Sequence, residues 1–362
     1  MGFWKSTLEN MVNPSNFWKN RNVLITGHTG FKGGWLALYL NTLGAKLFGY
    51  SLEPDSSNSF YTVNSLQNIF VKSVFGDIRD SKNFEKVLQD SQPSIIFHLA
   101  AQSLVYKSFE NPFETLEINI LGTVNLFESL RKRVIQPDVI INVTSDKCYL
   151  NSGAQKYFKE DDNLGGSDIY SSSKACSEII TSAYRDSFFL DSDIKVATAR
   201  AGNVIGGGDW SPHRLLPDLM KAAFKHEVAG LRNPESTRPW QHVLDPIRGY
   251  ILLAEKVFDG GTEFQSAWNF GPEEGEIWSA EKLTKYIKRK LPQLNYEFHP
   301  TNDMKEKASL MLDSSKSNKL LGWFPHIDTE TALDLTIKWY GAWNSNEDMR
   351  MVSQSQIDKY PI

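Results

Sequence analysis

Cysteine is almost missing from this sequence: Cys148 and Cys176 are the only two among 362 residues. Two thiols in so long a chain make no disulfide framework, which points to a reducing cytoplasm. Long apolar runs are missing as well. The longest, such as 95–101, fall far short of the about 20 residues that cross a bilayer. Lys5, Glu9 and Asn10 interrupt any apolar signal core at the start. Basic excess is absent too, with 39 Lys and Arg against 43 Asp and Glu and a net charge of −4. That balance excludes a nucleic-acid stripe and gives no reason to expect a membrane surface as partner. The seven histidines show neither H-x-x-x-H nor Cys/His spacing, so no metal site is expected. There is no internal repeat and no low-complexity tract.

What the chain does have is an ordinary globular balance, 41% apolar and 23% charged, and enough length for a large domain with a smaller companion. Short apolar runs at 22–26, 46–50, 94–99, 138–143 and 194–199 alternate with helical patterns such as 34–43 and 117–131. That alternation predicts βαβ units and a parallel sheet with helices on both faces. Beyond Gly202 the character changes: Gly206-Gly207-Gly208, Pro212, Pro217, Pro234 and Pro239 punctuate short elements and loops.

The run 22–26 ends in Gly27-His28-Thr29-Gly30-Phe31-Lys32-Gly33, a G-x-x-G-x-x-G pattern opening the first βαβ unit. Glycines there allow a tight turn and close backbone approach to a pyrophosphate, which would sit on the N-terminus of the next helix. NAD is the expected cofactor. The second strand ends Ser51-Leu52-Glu53, and Ser51 or Glu53 would suit the free ribose hydroxyl of NAD. Lys32 is the one nearby cation that would suit the phosphate of NADP. Asp77 and Ile78, after the third strand, are placed at the adenine, and Leu99, Ala100, Ala101 and Thr144, at later strand ends, against the rest of the cofactor. The expected fold class is therefore α/β, a Rossmann-type doubly wound parallel sheet with a smaller, mainly C-terminal substrate-binding domain. The expected division is an extension at 1–20, the NAD-binding part at 21–200 with 240–272 returning to it, the substrate part at 201–239 and 273–345, and a tail at 346–362.

Tyr170 and Lys174 stand four residues apart, hence on one helix face. A tyrosine titrates near 10 unaided; a lysine cation and a positive nicotinamide ring beside it would favour phenolate and make Tyr170 a base. The glycine loop, His98-Leu99-Ala100-Ala101, Asn119-Ile120-Leu121-Gly122-Thr123, the Tyr170/Lys174 pair, Asn269-Phe270-Gly271 and Leu321-Gly322-Trp323 together resemble the extended short-chain dehydrogenase/reductases over nearly the whole chain. An isologous dimer through two helices per subunit is common in that fold, so a homodimer or homotetramer is expected by analogy.

Ser145-Asp146-Lys147-Cys148-Tyr149 follows directly on an apolar strand. Sugar-nucleotide epimerases resemble this segment but carry small neutral residues at 146 and 147, and dTDP-glucose dehydratases resemble an Asp-Glu pair there. Two ionisable neighbours at a strand's cofactor end suggest chemistry beyond oxidation. Dehydration needs both: once C4 of a sugar is a ketone, a base removes the C5 proton and an acid protonates the departing C6 hydroxyl. Lys147 is the expected base and Asp146 the expected acid, with Ser145 bonding the reacting hydroxyl and Tyr170. Lys147 would have to be neutral, which the nearby positive charge of Lys174 promotes, and Asp146 protonated, which burial promotes.

The segments 199–210 (ARAGNVIGGGDW), Arg232-Asn233-Pro234 and 237–243 (TRPWQHV) are similar to the CDP-glucose 4,6-dehydratases, a family in which His213 would be acidic. The resemblance implies CDP-glucose as substrate and a binding set of Gln102, Asn203, Arg214, Leu215, Arg232, Arg238, Gln241 and His242. Arg214, Arg232 and Arg238 are the guanidinium forks a nucleotide diphosphate needs, though each alone fits an internal ion pair equally. His242 reads as a hydrogen-bonding residue rather than a base. UDP-N-acetylglucosamine 4,6-dehydratases also resemble this chain in their Asp-Lys pair, and remain the rival. A non-catalytic dinucleotide sensor of the same fold would be expected to lack Tyr170 or Lys174.

Overall fold

The computed structural model describes residues 14–151, 153, 156–298 and 310–361; positions 1–13 of the expected extension and 299–309 of the expected substrate part lie outside them. Seven strands form the central sheet: β1 (Asn22–Thr26), β2 (Lys46–Ser51), β3 (Phe70–Phe75), β4 (Ile95–His98), β5 (Val139–Val143), β6 (Lys195–Arg200) and β7 (Ala267–Asn269). Their spatial order is β7-β6-β5-β4-β1-β2-β3, all parallel. The chain reverses direction across the sheet between β1 and β4, and ligands of open α/β sheets bind at such a switch point, beyond the carboxyl ends of the strands. Register aligns those ends, pairing Thr26 with both Tyr50 and His98, and Val143 with Ala199.

Strands β1, β4, β5 and β6 are buried on both faces, as their largely apolar runs require, while the edge strand β3 is partly exposed. One face packs Trp35, Leu36, Ile141 and Ala197 with Ile247 and Tyr250; the other packs Leu24, Phe48, Ile96, Ile140 and Val196 with Leu126 and Phe127. Residues 244–269 do return to the sheet. Helix α3 (Leu244–Asp259) lies against β5 and β6, and β7 extends the sheet beside β6. Within 201–239 and 273–298 two 11-residue helices, Leu215–Lys225 and Ala280–Lys290, stand among short strands: parallel pairs join 204–205 to 241–242 and 228–231 to 295–298.

Two terminal expectations need correction. The segment 346–362 is no loose tail: Met349–Asp358 is a helix, with Met349, Ile357 and Tyr360 buried. Its polar residues find internal partners, Ser353 accepting from Trp339 Nε1 at 2.8 Å and Tyr360 donating to Asp245 at 2.7 Å. The end of the N-terminal extension is also docked. Phe17 and Trp18 enter the core, and Trp18 donates to Glu255 at 2.6 Å. Their aromatic area outweighs the polar composition around them.

Candidate active site

Backbone packed on backbone forms the glycine loop. Gly27 takes φ +75°, and a Cβ there would lie 2.8 Å from the amide nitrogen of Ala100. A Cβ on Gly33 would lie 2.1 Å from the Gly27 carbonyl oxygen. Helix α1 (Phe31–Thr42) starts from Gly30 with no side-chain cap, so its first-turn N–H groups are left for a ligand. This cradle, which a methyl group would fill, suits a dinucleotide diphosphate. Loop and strand ends line a cavity of about 1000 Å³ that also runs past Tyr170 to Arg238. Thr29, Phe31, Ser51, Asp77, Ile78, Leu99, Ala100, Ala101, Gln102 and Thr144 all line it. Ser51 is tied to Thr29 at 2.8 Å, and Asp77 to Arg79 at 2.6 Å, whose hydrogen bonds hold the carboxyl below its usual range.

Lys32 points elsewhere than the NADP option requires. Its charge interacts with Arg214, Asp146, Lys174 and Asp209. Burial, reinforced by Arg214, brings it down to about 8.

Helix α2 (Ile169–Tyr184) begins at Asp168, whose carboxylate caps it by accepting from Ser171 N at 2.8 Å. The cap fixes the first turn, so Tyr170 and Lys174 both project into the cavity while remaining buried. Burial pushes the Tyr170 phenol up to about 12, against the lowering influence of Ser145. Lysine alone therefore does not make this tyrosine a base; the remaining help has to come with bound ligands. Lys174 is itself brought down to about 8 by burial, with Glu178 opposing the fall.

After β5, Ser145–Cys148 forms a tight turn. Ser145 Oγ accepts from Lys147 N at 3.2 Å and donates to Asp146 Oδ1 at 2.9 Å. Asn203, in the left-handed region at φ +51°, reaches Asp146 Oδ2 at 3.4 Å. Asp146 is buried, whereas Lys147 is half-buried with no ion-pair partner among the described residues. Both line the cavity facing Tyr170 and Lys174.

Arg214, Leu215, Arg232 and Arg238 also line the cavity, and the charge of Arg214 acts on Tyr170 and Lys32. Arg214 pairs with Asp209 at 2.9 Å and donates to the Ser103 carbonyl at 3.3 Å. Gln241 and His242 correct the expectation that they bind substrate. Both are fully buried and neither lines the cavity: as successive strand residues they face opposite sides, Gln241 toward two backbone carbonyls and His242 toward the Trp35 ring. Gln241 donates to the carbonyls of Gly202 and Phe270, each at 2.9 Å, and burial pushes His242 down to about 3. Sequence reading missed Asp209, the partner of Arg214, and Glu178. The signal for Glu178 was available, since 170, 174 and 178 share one helix face.

Comparison with known proteins first gives the class. A sequence model of the family described as GDP-mannose 4,6 dehydratase matches residues 24–336, and the chain belongs to that family. More particularly, the chain is 40% identical to the CDP-glucose 4,6-dehydratase of Salmonella typhimurium, over 95% of this chain and 97% of that one. Among solved structures, the fold matches UDP-glucose 4-epimerase of Thermotoga maritima with UDP-glucose, at TM-score 0.78 and 21% identity over 89% of this chain and 99% of that one. It also matches dTDP-glucose 4,6-dehydratase of Bacillus anthracis in complex with NAD, at TM-score 0.75 and 22% identity over 91% and 98%.

Proposed function

We infer that this chain is a CDP-glucose 4,6-dehydratase that works with NAD, converting CDP-glucose to CDP-4-keto-6-deoxyglucose and water. The observation that carries the reading is the Asp146–Lys147 turn facing Tyr170 and Lys174 across one cavity, in a chain 40% identical to a CDP-glucose 4,6-dehydratase. Glu53 and Asp55 line the cavity on the Ser51 side and would repel a 2′-phosphate, which favours NAD over NADP.

Gly27, Gly30, Phe31 and Gly33 hold the cofactor's diphosphate, with Ser51 and Asp77 at its adenosine. Bound NAD would supply the hydride exchange between C4 and C6. The chain's own groups would move protons and orient the sugar. Tyr170 would take the C4 hydroxyl proton, with Lys174 stabilising the phenolate. Lys147 would take the C5 proton, made acidic by the new ketone, Asp146 would give its proton to the departing C6 hydroxyl, which leaves as water, and Lys147 would return its proton to C5 as hydride reaches C6. Arg214, Arg232 and Arg238 grip the nucleotide diphosphate.

The test is turnover with CDP-glucose, UDP-glucose, dTDP-glucose, GDP-glucose and UDP-N-acetylglucosamine, reading the 4-keto-6-deoxy product. Preference for CDP-glucose supports the reading; preference for another sugar, or none, refutes it. No helix among the described residues is long and apolar enough to cross a membrane. Both cysteines are free thiols, which supports a cytoplasmic setting. A homodimer is supported by exposed Phe109, Phe113 and Leu121, before and within the helical run that packs on α2, beside exposed Ile179, Phe188 and Leu190.

A further inference from the structure

Directly behind the reacting groups lies an ion pair that the chemistry above does not use. Glu178 Oε2 accepts from Arg200 Nη2 at 2.8 Å, the two side chains 2% and 3% exposed. The same carboxylate accepts from Thr198 at 2.8 Å and from the Thr144 hydroxyl. Arg200 Nη1 donates to the Tyr149 hydroxyl at 2.7 Å and to the Glu160 carbonyl at 3.0 Å. Tyr149 in turn donates to Asn269 Oδ1 at 2.7 Å.

The sequence positions give this network its meaning. Thr144 is the residue immediately before Ser145, and Tyr149 is the residue immediately after Cys148. One buried ion pair therefore grips both ends of the turn that carries Asp146 and Lys147. Glu178 also stands one helical turn from Lys174 and two from Tyr170 on α2. Turn and helix face share a single anchor. Stability alone gives little reason for it, since a buried ion pair loses so much hydration that apolar residues of similar volume often serve as well. Geometry gives a better one: misplacing a reacting group by about 1 Å can cost about 10²-fold in rate.

We propose that Glu178 and Arg200 are a positioning pair that sets the Ser145–Cys148 turn against the Tyr170/Lys174 face, so that the elimination groups and the oxidation groups meet one sugar. The pair has an electrostatic consequence. The ionisable groups facing Lys174 are Tyr170 and Glu178 on its own helix, Cys148 of the turn, His98 at the end of β4, and Lys32 of α1. Burial keeps His98 neutral, at about 3, and pushes the Cys148 thiol up, while Lys32 is a cation. Glu178 is the carboxylate that opposes the fall of Lys174 to about 8.

The proposal rests on the dehydratase reading, and Glu178→Gln and Tyr149→Phe test it against wild type with NAD and CDP-glucose. In both variants kcat should fall about 10- to 100-fold while KM changes less than about threefold, because misplaced chemistry spares binding. In Glu178→Gln the alkaline limb of kcat should also move to lower pH, as Lys174 loses its anionic neighbour; in Tyr149→Phe, which keeps that neighbour, the limb should stay. Lowered melting temperature with wild-type kcat and an unmoved limb would overturn the proposal. Should Glu178→Gln fail to fold, the kcat-against-KM result for Tyr149→Phe decides. If wild type does not dehydrate CDP-glucose, the functional reading fails separately, and the pair is judged by the same ratios on the sugar that is turned over.

Discussion

One added methyl group at Gly202 tests the role of Asp146 without touching an ionisable side chain. A Cβ there would stand 2.0 Å from Cγ and Oδ2 of Asp146 and 2.4 Å from Oδ1. Ordinary contact begins at 3.4 Å, so the carboxylate must retreat by about 1.4 Å, the difference between 3.4 and 2.0. The backbone cannot easily yield instead, because Gln241 holds the Gly202 carbonyl at 2.9 Å. The retreating carboxylate loses its contacts to Ser145 and Asn203. A displacement of that size costs about 10²-fold, or about 2.7 kcal/mol of transition-state stabilisation. Gly202→Ala should therefore slow loss of water about 100-fold, while C4 oxidation, which rests on Tyr170 and Lys174, falls less than about tenfold. Single-turnover absorbance of the reduced nicotinamide, with product quantified in parallel, separates the two steps. Unimpaired dehydration would remove Asp146 from the reaction, and equal loss in both steps would make position 202 a matter of folding.

Lys147→Ala should still oxidise C4 but stall before water is lost, with little solvent deuterium entering C5; unimpaired C5 exchange would eliminate Lys147 as the base. Tyr170→Phe should fold and bind NAD yet lose about 10²- to 10⁴-fold in oxidation, and wild-type turnover would sink its assignment as base. Asp245 supplies a pH effect on stability. Burial pushes it up to about 6, against opposing hydrogen bonds from His326 N and Tyr360. A carboxyl raised on folding stabilises below its unfolded value and loses that contribution as pH rises through about 6. Thermal melts of wild type minus Asp245→Asn should thus show a stability difference that declines from pH about 4 to about 6.5; a constant difference contradicts the burial argument.

The sheet was legible because parallel strands buried on both faces must be mainly apolar, and the centres of 22–26, 94–99 and 138–143 are. The glycine loop and the Tyr170/Lys174 pair were legible because their chemistry depends on local spacing. What depends on distant partners was not. Nothing near 241–242 reveals that Gln241 is spent on the carbonyls of Gly202 and Phe270 or that His242 packs on the Trp35 ring. The polar run 349–358 conceals the burial of Ser353, bonded by Trp339, and gives no sign that Tyr360 beyond it is held by Asp245. Arg200 closes an apolar strand as an oddity; only its partner Glu178, 22 residues earlier, explains a guanidinium there.

Lys174 is pulled two ways by its surroundings. Lys174 has to stay cationic beside a phenol that burial holds at about 12, yet burial draws the lysine itself down to about 8. A carboxylate one helical turn away, itself locked by Arg200, Thr144 and Thr198, opposes that fall. Lys32, brought to about 8 by burial and by Arg214, adds positive charge on the same side. A bound diphosphate, carrying negative charge into this cluster, favours the protonated forms of the lysines it touches, so substrate binding and lysine protonation are linked. Arg214 strengthens that linkage, because it acts on both Lys32 and Tyr170, so a diphosphate held on its guanidinium would bring its charge beside those groups rather than apart from them.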